Sequence, residues 1–232
     1  MKGVYLKGLS HGIPIALGYC SVSFGFGILA VNAGLPVWSA VLISLSNLTS
    51  AGQAAGIEVI AAAGGILEMV LTQFVINLRY ALMGFSLSQK LDRSFTTPRR
   101  LVLSFGITDE VFGVAASQKG KISARYLLGL ITLPIVGWTL GTLLGAVAGH
   151  LLPPRVTDAM GILLYGMFLA IIIPPARANK KVLFVILMAA GFSLICKYAL
   201  PFISGGFAII ISGVLASLVG ALFFPVTEEE AQ

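Results

Sequence analysis

The sequence predicts an all-α, polytopic membrane bundle of six full spans and two broken or re-entrant segments, with eight spans as the alternative. Three observations predict it. Hydrophobic residues make up 57% of the 232 residues and charged ones 10%, with a mean hydropathy of +0.98, a composition foreign to soluble domains. Apolar stretches recur along the whole length, and about 20 helical residues suffice to cross ~30 Å of hydrocarbon. Two of the stretches carry polar interruptions, which backbone in lipid tolerates only against protein or a wet cavity. No long polar segment separates the stretches, so residues 1–232 read as a single transmembrane domain.

The first stretch, 13–33, follows a basic start and so mimics a signal peptide. It lacks a polar cleavage region and feeds into further membrane sequence, so it is expected to be a retained helix. Residues 36–64 are apolar but interrupted at Ser46-Asn47-Leu48-Thr49-Ser50-Ala51-Gly52-Gln53. Next comes 66–88, then 101–118, interrupted at Gly106-Ile107-Thr108-Asp109-Glu110. The stretch 126–149 carries Gly137, Gly141, Gly145 and Gly149 at four-residue spacing, a stripe of small residues that lets another helix approach closely. Stretches 158–175, 181–199 and 203–225 complete the set, and Glu228, Glu229 and Glu230 are expected to form a solvated tail.

The cations set the expected orientation. Most of the 15 Lys and Arg fall in four clusters: Lys2 and Lys7; Lys90, Arg93, Arg99 and Arg100; Lys119, Lys121 and Arg125; Arg177, Lys180 and Lys181. If 36–64 and 101–118 each enter and return on one side, all four clusters share the cytoplasmic face, as the positive-inside rule requires. Both termini are then cytoplasmic. The clusters read as topology markers rather than as a nucleic-acid surface.

The polar residues inside apolar stretches are the candidates for chemistry, since an unpaired charge in the membrane costs several kcal/mol, ~3 or more. On a helix through 66–88, Glu68, Thr72 and Arg79 share one face, and Gln73, Asn77, Tyr80 and Gly84 form a second about 100° away. That pattern predicts a helix covered by protein on both sides. Arg79 lies too far from the segment end for simple snorkelling; it could bind a substrate carboxylate bidentately or pair with Asp109 or Glu110. Asp109 and Glu110 are neighbours, so on a helix they point apart; one could carry protons while the other pairs with Arg79. Glu58 is a third candidate for proton coupling or an ion pair.

Other chemistry is not indicated. Cys20, Cys196, His11 and His150 have no metal spacing, and both cysteines are expected to be packing residues. No Walker, Rossmann or nucleophile-elbow motif occurs. No cofactor, metal or enzymatic activity is expected, and ATP-driven transport by this chain alone is disfavoured.

Several blocks point to a family. They are Gly12-Ile13-Pro14-Ile15-Ala16-Leu17-Gly18-Tyr19 with Phe24-Gly25-Phe26-Gly27; Asn47-Leu48-Thr49-Ser50-Ala51-Gly52-Gln53; Asn77-Leu78-Arg79-Tyr80 continuing to Lys90; and Thr108-Asp109-Glu110-Val111-Phe112. In these blocks the chain resembles the AzlC/YgaZ family, large subunits of bacterial branched-chain amino-acid exporters. The family usually carries Arg-His where this chain has Arg79-Tyr80; a phenol keeps a hydrogen bond but, unlike an imidazole, does not titrate near neutral pH.

The resemblance implies a secondary exporter of Leu-, Ile-, Val- and Met-like amino acids in the bacterial inner membrane, working with a small AzlD/YgaH-type membrane subunit; proton coupling is expected from the carboxylates inside the apolar stretches. Asn47, Thr49, Ser50, Gly52, Gln53, Asn77 and Arg79 would then hold the amino acid, and Asp109, Glu110 or Glu58 would supply the coupling. A non-transporting scaffold and an exporter of another small solute are the alternatives.

Overall fold

The computed structural model describes residues 2–149, 153, 155, 166, 169–170 and 172–225. Nine bounded helices occur among them: α1 Lys2–Asn32, α2 Val37–Ser46, α3 Ala51–Ala61, α4 Ile66–Ser88, α5 Thr97–Ser104, α6 Asp109–Ala116, α7 Ala124–Ala148, α8 Lys180–Ala199 and α9 Gly205–Phe223. Five of these, α1, α4, α7, α8 and α9, are long and apolar enough to cross a membrane. The chain is a multi-pass membrane protein. The expectations for His150, for most of 158–175 and for Glu228, Glu229 and Glu230 lie outside the described residues.

Both interruptions read from the sequence are breaks between short helices. Residues 47–50 separate α2 from α3, with Asn47 extended (φ −146°, ψ 110°) and Ser50 at φ 38°. Residues 105–108 separate α5 from α6. At 8 to 11 residues each, these helices are about 12–17 Å long, and none crosses the hydrocarbon alone.

The contacts divide the chain into two units, 1–54 with 77–164, and 55–76 with 165–232. In the first unit, α1 and α7 run parallel along the predicted glycine stripe. Gly137 seats on the backbone of Ala16, Gly141 on Cys20 and Gly145 on Phe24, while Gly8 of α1 seats on Tyr126. A Cβ at Gly137 would stand 2.5 Å from the Ala16 carbonyl oxygen, so this approach is closed to any larger residue. Tyr19, Leu87, Phe95, Leu103, Val111, Ile122, Leu130 and Trp138 fill the adjoining core.

The loops flanking α5–α6 are stitched together. Asp92 N–H donates to Ile122 O at 3.0 Å and Ile122 N–H to Lys90 O at 2.8 Å. Ala124 N–H donates to Ser94 Oγ at 2.9 Å, and Lys90 Nζ caps the end of α6 through the carbonyls of Ala116 and Gln118. The chain therefore leaves at Thr97 and returns to the same level by Ala116, as the re-entrant reading of 101–118 requires.

In the second unit, α8 packs on α9. Phe184 meets Phe223 and Phe224 at ring-centroid distances of 6.2 and 5.6 Å, and Val185 covers Gly220.

One expectation needs correction. The sequence reading placed protein on both sides of α4, but Leu67, Leu71, Phe74, Leu78, Leu82 and Phe85 form a helical stripe of exposed apolar side chains. Two polar faces on a helix of 23 residues still leave a third face free for lipid.

Candidate functional site

The two breaks and the later half of α4 enclose a cavity of about 370 Å³. Asn47, Thr49, Tyr80, Gly84, Ser104 and Ile107 are among its walls. Its volume lies in the range of small-molecule sites. Both breaks end where a helix begins, α3 after Ser50 and α6 after Thr108, so the partly positive end of each peptide dipole lies next to its break.

Arg79 comes just before Tyr80 on α4, and its Nη1 meets Asp109 Oδ2 at 2.8 Å, with side-chain exposures of 37% and 32%. The guanidinium also lies over the Tyr80 ring, 5.0 Å from its centroid, and Nη2 is 3.4 Å from the Tyr80 hydroxyl. Arg79 Nε is buried and has no partner among the described residues, as is Thr49 Oγ1 on the cavity wall. Unsatisfied buried donors of this kind cost about 1–3 kcal/mol each, and a polar ligand would recover part of that cost.

Glu110 points elsewhere. It takes a short hydrogen bond from the hydroxyl of Tyr19, which also bonds Thr108 Oγ1 at 2.6 Å. A phenol carries one proton, so the Thr108 hydroxyl can supply the second. The Tyr19 ring stands edge-on to Trp138, 5.2 Å between centroids. Thus the adjacent carboxylates take separate partners, as the 100° spacing predicts, and it is Asp109 that pairs with Arg79.

The remaining candidates are dispersed. Ser50 holds the left-handed turn before α3, and Gly52 is buried in the first turn of that helix. Gln53 is 2% exposed and donates from Nε2 to Ser44 Oγ at 3.0 Å, and Ser44 bonds Thr142 Oγ1 at 2.7 Å. It ties the break to α2 and α7 rather than lining the cavity. Asn77 is half-buried one turn before the cavity-lining Ala81, and Glu58 is exposed on α3.

Tyr19 and Glu68 were not singled out as site residues by the sequence. A tyrosine in an apolar run reads as core by default. Glu68, which the periodicity did align with Thr72, is 6% exposed in the second unit and accepts from Ser204 Oγ and from Gly206 N–H.

Comparison with known proteins adds the lineage. A family model described as AzlC protein matches residues 14–152. The inner membrane protein YgaZ of Escherichia coli is 24% identical over 96% of this chain and 93% of its own length. An uncharacterized membrane protein of Archaeoglobus fulgidus is 32% identical over 77% of this chain and 78% of its own. No solved structure matches.

Proposed function

The chain belongs to the AzlC family, and we propose that it is the large subunit of a secondary exporter of branched-chain and similar hydrophobic amino acids. One observation carries this reading: the two helix breaks share a cavity beside an Arg79–Asp109 pair that is only partly buried. A carboxylate from a substrate could replace Asp109 on Arg79, keeping the charge-assisted bonds while changing their partner. The freed Asp109 would then be the carboxylate to take up a proton, with Glu110 and Glu58 as the other candidates for coupling.

In this reading Asn47, Thr49, Asn77 and the backbone around Ser50 and Gly52 address the amino group and head-group oxygens, and Gln53 holds the break in shape. Phe105, Ile107 and Leu48 on the cavity wall take the aliphatic chain. An apolar wall separates substrates by only ~1–3 kcal/mol per methylene, so Leu, Ile, Val and Met should all be carried.

In this reading the stitched basic loops and both termini lie in the cytoplasm of a bacterial inner membrane, the orientation the positive-inside rule favours. The stripe of exposed apolar residues on α4 leaves room for a small AzlD/YgaH-type membrane subunit. The test is efflux of labelled Leu, Ile, Val, Met and, as controls, Lys and Asp from cells co-expressing both proteins. Export of the four apolar amino acids within about 100-fold of one another, with neither control moving, is expected. Tight selection of one amino acid would rule out the pocket described.

A further inference from the structure

We propose that Glu68, in the second unit, is a second proton-binding site. The chemistry is built around one carboxylate oxygen. Glu68 Oε1 accepts from the Ser204 hydroxyl in a short contact and from Gly206 N–H at 3.2 Å, so it sits on the N-terminus of the 19-residue α9. Thr72, one turn along α4, is fully buried at 0% exposure, and its Oγ1 has no partner among the described residues. It is aimed at the same point: a Cβ on Gly206 would lie 2.6 Å from Glu68 Oε1 and 2.8 Å from Thr72 Oγ1.

This set of groups offers the side chain partners in both protonation states. As a carboxylate, Glu68 accepts from the Ser204 hydroxyl and the Gly206 amide, with the Thr72 hydroxyl available as a third donor. Protonated, its new O–H has the unpartnered Thr72 oxygen to donate to. The step is a simple transfer: hydronium gives one proton to the carboxylate and leaves as water, and the reverse step releases it.

Among the described residues Glu68 makes no ion pair. The elements around it, residues 62–65, 200–204 and all of α9, contain no charged or titratable side chain. On α3, Glu58 is exposed; on α8, Cys196 is buried and free, and Lys197 lies over the Tyr198 ring, 5.6 Å from its centroid.

Glu68 is in the first turn of α4. The coupling role rests on the exporter reading; the binding of a proton does not.

The test has two arms. In the first, infrared difference spectra of the purified full chain in lipid are recorded on acidification, for wild type and Glu68→Gln. A protonated-carboxyl C=O band in wild type that is missing from Glu68→Gln is expected; an identical band in both proteins overturns the proposal. If Glu68→Gln fails to fold, Thr72→Val replaces it: a displaced band or midpoint supports the site, and an unchanged titration overturns it. In the second arm, leucine exchange at equal pH should survive in Glu68→Gln while its acceleration by an inward proton gradient is lost. A gradient response equal to wild type removes the coupling role. Failure of wild type to move any amino acid would defeat the exporter reading, and the infrared arm would still decide whether Glu68 binds a proton.

Discussion

Arg79 and Asp109 meet at 2.8 Å between the later half of α4 and the first residue of α6, directly after a helix break. A charged pair left partly exposed is worth about 0–1 kcal/mol to folding. In the function proposed above, a substrate carboxylate replaces Asp109 on Arg79.

Asp109→Asn leaves the Arg79 guanidinium without its counter-charge, so stability in detergent is expected to fall by up to about 3 kcal/mol, while gradient-driven efflux falls by at least about tenfold. Thermal unfolding and efflux on the same preparation check this. A large stability loss with efflux preserved would make the pair structural.

Tyr19→Phe keeps the ring against Trp138 but removes the hydroxyl that bonds Glu110 and Thr108. Hydrogen bonds to charged groups contribute about 1.5–3 kcal/mol, and a loss of that order is expected in thermal or denaturant unfolding. Tyr19→Leu should cost more, because the edge-on contact with Trp138 goes too.

The glycine stripe gives a packing prediction. Gly141→Val would drive a side chain into the Cys20 carbonyl and Ser23 Oγ, whereas a Cβ at Gly191 of α8 meets nothing within 4 Å. Gly141→Val should destabilise by about 1–3 kcal/mol or prevent folding, and Gly191→Ala should stay within about 0.5 kcal/mol of wild type.

Because residues 90–92 pair with Ile122, cysteines introduced as Arg93→Cys and Lys119→Cys must react from the same side. With Cys20 and Cys196 replaced, an impermeant thiol reagent outside intact cells should label neither position. Labelling of one but not the other would break the re-entrant assignment of α5–α6.

Much of this was legible in the sequence, for local reasons. The breaks were visible because Asn, Ser, Thr and Gly compete with helical hydrogen bonds and cluster there inside apolar stretches. The parallel approach of α1 and α7 was half visible: the stripe on α7 marked a close contact without naming its partner. What stayed hidden was long-range. Nothing local says that Asp109 rather than Glu110 faces Arg79, or that Glu68 meets Ser204 and Gly206 far along the chain. Gln53 shows the converse, a polar residue at a break whose amide serves the scaffold through Ser44 and Thr142. The outward stripe of α4 was masked by the two polar faces beside it.

The most direct test of the central claim is efflux of preloaded labelled leucine, valine and methionine from cells expressing this chain with and without the small subunit, for wild type and Arg79→Gln. The account predicts partner-dependent efflux that Arg79→Gln abolishes while the protein remains in the membrane at wild-type level. Undiminished efflux by Arg79→Gln, or none from wild type with both subunits present, would contradict it.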